Sequence, residues 1–456
     1  MKILFCCEFY APSVGGIQEV MRQIAERLVS RGHDVTVATS HLPARTFTEL
    51  NRVQVVSFNV SGNLVKGLDG EVAQYRRFVS TGDFDVVLIN MAQQWTLDAL
   101  IPILGEIPYR KVLIPCGFSC LYEPSYAAYF HQMPNVLRQF DHLIFHAADY
   151  RDIQFARRCG IKDVSVIPNG ASETDFAVER DSAFRTRLGI TDHEWLFLTV
   201  GAFTTDKGHT DLLRAYIDCD FGGQSSLLLL NANTYIAEAS SKSATVSSGT
   251  EIHAPEGASG EPRRNRTTVR DVVSQTYRNL ANFIIGHKPD RDPSPFRDEM
   301  RSLLEQLNQS GTNKRAMVMN LPRTVLVQAY MNADLFVFAS HIEYSPLVLF
   351  ESAAAGIPFL SAQVGNAHEI ARWTGAGIIG PSFIDKKGYT RIDSKRFAER
   401  WVQLINDREG RRELGMSGKR SWAATFTWER IAQQYENVLQ QVCTDPVVVG
   451  EAARRY

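Results

Sequence analysis

The chain has 456 residues, too many for one ordinary core, so its length favours two or three domains. Hydrophobic residues make up 44% and charged residues 22%, which excludes wholesale disorder. Lysine plus arginine (49) nearly cancels aspartate plus glutamate (50), a net charge of −1 that provides no global field for gripping nucleic acid.

No apolar run approaches the roughly 18 to 20 residues needed to span a bilayer. The stretch Met1–Cys7 reaches Glu8 without the apolar region and cleavage site of a signal peptide. The seven cysteines (Cys6, Cys7, Cys116, Cys120, Cys159, Cys219, Cys443) are odd in number and contain no CxxC pair. Neither a disulfide framework nor a zinc ribbon is supported, and reduced thiols in a soluble cytoplasmic protein are the expectation.

In chain order, Lys2–Cys7 reads as a buried strand, Gly15-Gly16 as a turn, and Ile17, Val20, Met21, Ile24 and Leu28 as one face of a helix that Gly32 stops. Strands follow at 34–39, 85–89, 111–114, 142–145 and 164–167. A second set lies at 195–200, 227–230, 316–319, 335–338 and 357–360. Apolar strands alternating with helices predict doubly wound parallel sheets, and ten or more strands fit two sheets better than one. The fold class is therefore α/β with two Rossmann-like domains, divided at the Pro168-Asn169-Gly170 turn into 1–170 and 171–425. Residues 240–270, rich in Ser, Thr, Gly, Pro and charge, read as a mobile insertion whose cluster Arg263-Arg264-Asn265-Arg266 is a solvated loop. Thr427 opens an amphipathic helix carrying Tyr435, Val438 and Leu439, read as 426–443 and returning to the N-terminal domain. Residues 444–456 read as a tail.

Ligands of such sheets bind beyond the carboxyl ends of strands, and three segments have the right composition. Gly15 and Gly16, in Pro12–Glu19, allow close backbone approach before a helix N-terminus. Glu19 occupies the place of the third glycine of a dinucleotide fingerprint, so a tight turn describes the pair equally well. Lys207 stands in the loop after the strand ending at Val200, where a lysine is a point charge for a diphosphate. In the third segment, Ser345 suits an N-cap and Pro346 the first helical position, which aims the free amides near Leu347 and Val348 at an anion. Glu343 lies in the preceding loop. Glu351 falls on an otherwise apolar helix, where a carboxylate is costly unless something such as a ligand hydroxyl bonds it. Among the histidines, His33 reads as a turn residue, while His131 and His146 lie in the first domain and read as packed or solvated.

In order and spacing these segments resemble retaining glycosyltransferases of the GT-B fold, family 4 type (glycosyl transferases group 1). Glu343 and Glu351 have seven residues between them and are followed by Ala353-Ala354-Ala355-Gly356-Ile357-Pro358. Val364–Ile370 resembles the family's V-G-G-x-x-E-I segment, and Ile167-Pro168-Asn169-Gly170 its interdomain turn. The resemblance implies a UDP- or GDP-sugar donor on the second domain and a glycan or lipid-linked acceptor on the first, in polysaccharide or cell-envelope synthesis. It implies Glu343 and Lys207 as catalytic residues, with Gly15, Gly16, Glu351, Ser345, Pro346, Leu347 and Cys116 around the substrates and Glu351 on the ribose. Neither a cofactor nor a metal is expected, because lysine and helix amides carry the leaving-group charge. The base reader is placed near Asn320-Leu321-Pro322.

Two positions depart from the family. Ala202 replaces an arginine, leaving Lys207 for the diphosphate, and Cys116 stands roughly where a histidine is usual; its bland reading is a small residue packed under the ligand. These departures keep open a catalytically inactive partner of a transferase; a nucleotide-sugar epimerase or phosphorylase shares the fold, but the resemblance implies a paired-glutamate helix that epimerases tend to lack and a chain much shorter than a phosphorylase's. The basic pairs Arg76-Arg77, Arg110-Lys111 and Arg157-Arg158 keep peripheral contact with the inner membrane face in view, although scattered pairs are usually ordinary surface.

Overall fold

A computed structural model describes residues 1–233 and 295–444. The 240–270 stretch with its arginine cluster, and residues 445–456, lie outside the described residues. The strands are β1 (Lys2–Cys6), β2 (Asp34–Ser40), β3 (Glu49–Leu50), β4 (Val53–Phe58), β5 (Val60–Asn63), β6 (Gly67–Gly70), β7 (Val86–Asn90), β8 (Arg110–Ile114), β9 (His142–Phe145) and β10 (Val164–Val166). They continue as β11 (Trp195–Ala202), β12 (Ser226–Asn233), β13 (Lys314–Met319), β14 (Leu335–Phe338), β15 (Phe359–Ser361), β16 (Gly377–Ile379), β17 (Ser382–Ile384) and β18 (Thr390–Ile392). Among the described residues they form an eight-stranded sheet, β10-β9-β8-β7-β1-β2-β4-β3, a six-stranded sheet, β13-β12-β11-β14-β15-β16, and two antiparallel pairs. Every neighbouring pair in the two large sheets is parallel except β3 with β4. The fold is the expected α/β arrangement of two doubly wound sheets.

Burial explains the apolar runs. On one face of the first sheet Ile3 and Phe5 pack on Val20, Met21, Ile24 and Leu28 of helix α1 (Gly16–Ser30); on the other, Leu4 and Cys6 pack with Tyr75 and Trp95. Such strands lack the alternation of half-exposed ones. The sequence reading passed over β3 to β6 and β16 to β18; most are only two to four residues long, while β4 is a six-residue strand with Val53, Val55 and Phe58 buried. The strand expected at 357–360 begins at Phe359, because Gly356 and Ile357 close the preceding helix through Ile357 N–H to the Ser352 carbonyl, 3.0 Å.

Three further helices belong to the second half, α2 (His209–Asp218), α3 (Arg323–Asn332) and α4 (Leu347–Ala355), and the last starts at the cleft between the sheets. The last helix, α5 (Trp428–Thr444), packs Trp428, Ile431, Tyr435 and Leu439 into the same core as α1. Arg31, the C-cap of α1, reaches Glu429 and Glu436 of α5 at 2.7 and 2.8 Å. His33 is not merely a turn residue: it is buried, with Nε2 2.8 Å from Glu436 Oε1. The chain crosses between the sheets twice at one place. Ala171 N–H donates to the Phe426 carbonyl at 3.0 Å, and Trp422 Nε1 donates to the Ala171 carbonyl at 3.0 Å. A Cβ on Gly170 would stand 2.4 Å from the Phe426 carbonyl oxygen, so the double crossing requires glycine there.

Candidate active site

A cleft of about 460 Å³ opens between the carboxyl ends of the two sheets. From the first sheet it is lined by Gly15, Gly16, Asn90, Cys116, His146 and Asn169; from the second by Lys207, Glu343, Tyr344, Ser345, Pro346 and Leu347. Residues far apart in sequence meet there because both sheets point their strand ends at it.

Helices α1 and α4 both present their N-termini to the cleft. A Cβ built on Gly16 would lie 3.8 Å from Leu347 Cδ1, so the two starts face each other at van der Waals distance. Among the described residues, the amides of Gly16, Ile17 and Gln18, and those of Leu347 and Val348, make no backbone hydrogen bond. They are open donors backed by two helix dipoles.

The start of α4 corrects one expectation. Pro346, with φ −69° and ψ 115°, is the N-cap itself, and the helix begins at Leu347. Ser345 is therefore one position too early to cap, and its buried hydroxyl has no partner among the described residues.

Lys207 ends a short 3₁₀ turn (Thr205–Lys207) before α2. Gly208 at φ 64° caps that helix, and a Cβ there would meet the Ala339 carbonyl oxygen at 1.9 Å, so only glycine brings the lysine loop this near β14. His341 N–H and Ser340 Oγ donate to the Asp206 carbonyl at 2.8 and 3.1 Å, joining that loop to the one bearing Glu343. Lys207 Nζ then donates to Glu343 Oε1 at 2.6 Å, and Ser340 Oγ to the same oxygen at 2.9 Å. The second Glu343 oxygen has no partner among the described residues. Lys207 is also the one lysine or arginine on the described lining, so nothing there replaces the arginine lost at Ala202.

Glu351 stands outside the cleft lining. Arg323, the first residue of α3, pairs with it at 2.6 Å and with Asp175 at 2.9 Å. Helix α4 thus satisfies its carboxylate within the protein, by an ion pair absent from the sequence reading. The Asn320-Leu321-Pro322 segment also lies outside the lining, with Leu321 N–H bonded to Asn231 Oδ1 at 2.7 Å.

Cys116 lines the cleft in a left-handed conformation, φ 60°, and burial pushes its thiol up to about 12. Met91, Gln93 and Phe118, at the ends of β7 and β8, also have positive φ, so strained backbone gathers on this side. Burial lowers the His146 imidazole to about 4, despite a 2.9 Å contact between Nδ1 and the Ile167 carbonyl. It is neutral at physiological pH. His131 is exposed. Tyr344, Asn90 and Asn169 were absent from the sequence-based site; Asn169 was visible only as part of a turn.

Among the described residues no group of three or more His, Cys, Asp or Glu is placed to hold a metal ion, and no helix is long and apolar enough to cross a membrane. The basic pairs are partly committed to the fold: Arg76 to the Ala99 carbonyl, Arg110 to Asp141 and Arg157 to the Ala148 carbonyl.

Residues 15–170 match the model of the glycosyl transferase 4-like domain, and residues 267–421 that of the glycosyl transferases group 1. N-acetyl-alpha-D-glucosaminyl L-malate synthase of Bacillus anthracis is 29% identical over 113 residues, 25% of this chain. The match spans little more than a quarter of the length of the curated relatives found. Sucrose-phosphate synthase from Thermosynechococcus elongatus superposes with a TM-score of 0.68 at 16% identity, over 97% of this chain and 98% of that one. Anabaena HepE in complex with UDP gives 0.63 at 16% identity, over 97% and 100%.

Proposed function

Because the chain belongs to the group 1 glycosyltransferases, with a glycosyl transferase 4-like domain at its front and the GT-B fold, we propose that it moves a sugar from a UDP- or GDP-sugar to a glycan or lipid-linked glycan with retention of anomeric configuration. The observation that carries this reading is the convergence of Lys207 and the open N-termini of α1 and α4 on one cleft that Glu343 also lines. A departing nucleotide diphosphate is the anion such an arrangement suits: a point charge and free amides, preorganised where charge develops as the bond from sugar to phosphate breaks. HepE, bound to UDP, has a similar fold.

In this account residues 1–170, with the 426–443 helix, form the acceptor side and residues 171–425 the donor side. Lys207 and the amides of Gly16, Leu347 and Val348 neutralise the leaving diphosphate. Glu343 faces the donor sugar through its uncommitted oxygen, and Glu351 serves the ribose after exchanging part of its pairing with Arg323. Pro346 and Gly15 shape the approach to the amides, while Ser345 and Cys116 pack against the substrates. The acceptor hydroxyl attacks on the face from which the diphosphate leaves and passes its proton to the departing phosphate oxygen. Turnover is independent of divalent metal, since lysine and amides carry the charge. The protein works in polysaccharide or envelope synthesis in the cytoplasm, with peripheral contact to the inner face of the membrane.

A second reading, an inactive partner that only binds nucleotide, is favoured by Ala202 and by the pairing of Lys207 with Glu343. A panel of UDP- and GDP-sugars with and without EDTA, assayed for nucleotide release and for product anomer by NMR, separates the two. Retained configuration with EDTA-resistant turnover is the expected result. Nucleotide binding without release in the presence of glycan acceptors supports the inactive partner.

A further inference from the structure

One tyrosine of the donor loop is built into the opposite half of the molecule. Tyr344 follows Glu343, yet its ring lies 5.6 Å from the His146 ring and 5.2 Å from the Tyr150 ring, both on the first-sheet side. Its hydroxyl accepts the His146 N–H at 2.9 Å. The hydroxyl's own proton then needs an acceptor, and the carboxylate beside it is Asp152, which is fully buried. Asp152 also accepts the Gly117 N–H at 2.8 Å, fixing the strained turn that carries Cys116. A Cβ on Gly117 would press the Tyr344 ring at 3.0 Å, so the turn and the ring fit each other only with glycine there. Tyr150 completes the contact, its hydroxyl donating to the Glu343 carbonyl at 3.0 Å.

We propose that Tyr344, seated against Asp152, is a positioning residue that couples closure of the two halves of the cleft to the placement of Glu343. The inference rests on the reading of the cleft as a transfer site. Its physical basis is that the ring is held from the opposite half at two points, the His146 N–H on its hydroxyl and the Tyr150 hydroxyl on the Glu343 carbonyl, over the turn that Asp152 fixes through Gly117. Opening the halves would break the His146–Tyr344 and Tyr150–Glu343 hydrogen bonds together, a cost that favours one registered arrangement. Burial raises the Asp152 carboxyl to about 6, against the opposing pull of Tyr344 and of the Gly117 and Ile153 amides. Glu343 is the neighbour of Tyr344 in the chain and its carbonyl accepts the Tyr150 hydroxyl, so the seat of the ring and the backbone that carries the carboxylate are set together.

The test uses the full chain with Tyr344→Phe, Asp152→Asn and the double variant. Tyr344→Phe keeps the ring and removes only the hydroxyl, and melting temperatures confirm that each variant folds. Small-angle scattering is recorded without ligand and with UDP, and turnover is measured with the donor that supports it in the parent protein. Each single change is expected to expand the ligand-free protein and to lower kcat about tenfold, with the donor KM within about twofold. The double variant should be no worse than either single one, because both remove the same coupling. Unchanged scattering and kcat in Tyr344→Phe, or multiplicative losses in the double variant, would overturn the proposal. If the parent protein turns over none of the sugar nucleotides, the transferase reading falls, and scattering alone still decides whether Tyr344 holds the halves together.

Discussion

Lys207 Nζ donates to Glu343 Oε1 across 2.6 Å, although 136 residues separate them in the chain. The pair joins the cation proposed for the leaving diphosphate to the carboxylate proposed for the donor sugar. A charge-assisted hydrogen bond contributes about 1.5 to 3 kcal/mol, so Lys207→Ala should weaken UDP or GDP binding by roughly ten- to a hundredfold. Glu343→Gln keeps the shape and should lower kcat with little change in nucleotide affinity. Calorimetry and steady-state kinetics read the two effects separately, and equal effects on affinity would remove the division of labour.

Glu351 and Arg323 make the opposite kind of pair, one formed within the second half of the molecule. Glu351→Ala should remove nucleotide binding while the protein remains folded, because Arg323 keeps Asp175. Arg323→Ala leaves a mostly buried carboxylate without its cation and should cost about 1 to 3 kcal/mol of stability, the range for a buried polar group that loses its partner. Thermal unfolding checks the second effect and calorimetry the first.

Cys116 should be chemically quiet. With its thiol pushed up to about 12 by burial, the thiolate is scarce at neutral pH, so alkylating reagents should react slowly. Cys116→Ala should retain activity within about threefold, as suits a residue whose role is packing. A loss of a hundredfold or more would make the thiol part of the chemistry.

Asp98 provides a pH signature away from the cleft. It is fully buried, and burial raises it from 3.8 to about 6 against bonds from Leu64 N–H and the Tyr129 hydroxyl. A raised carboxyl contributes stability that is fully present below pH 3.8 and is lost as the pH rises through 6. The melting temperature of Asp98→Asn relative to the parent should therefore move in the variant's favour between pH 4 and 7, by at most about 3 kcal/mol in free energy. A gap that does not change with pH would contradict the assignment.

The residues legible in the sequence were those at strand ends. Gly15, Gly16, Lys207 and Glu343 follow apolar runs and precede helices, so a doubly wound sheet brings them to one edge. The large sheets were legible for a related reason: strands buried on both faces have no polar alternation. Strands such as β5 and β17, short and in part exposed, have no comparable pattern. The Tyr344–Asp152 contact depends on how the two halves meet, which no local spacing encodes. His33 shows the same limit: its place after Gly32 suggests a turn, but its environment is set by Glu436 of α5. Ser345 was misplaced by one position because Ser-Pro reads equally well as cap and first residue, whereas the extended ψ of Pro346 makes the proline itself the cap.

The most direct test of the account is calorimetric titration of the full chain and of Lys207→Ala with UDP, GDP, ADP and dTDP, each with and without EDTA. The account predicts that UDP or GDP binds the parent chain, that chelator leaves the affinity unchanged, and that Lys207→Ala loses at least about tenfold of it. Binding of none of the four nucleotides, or binding that EDTA abolishes, would contradict the claim that this lysine and the two helix N-termini hold the diphosphate.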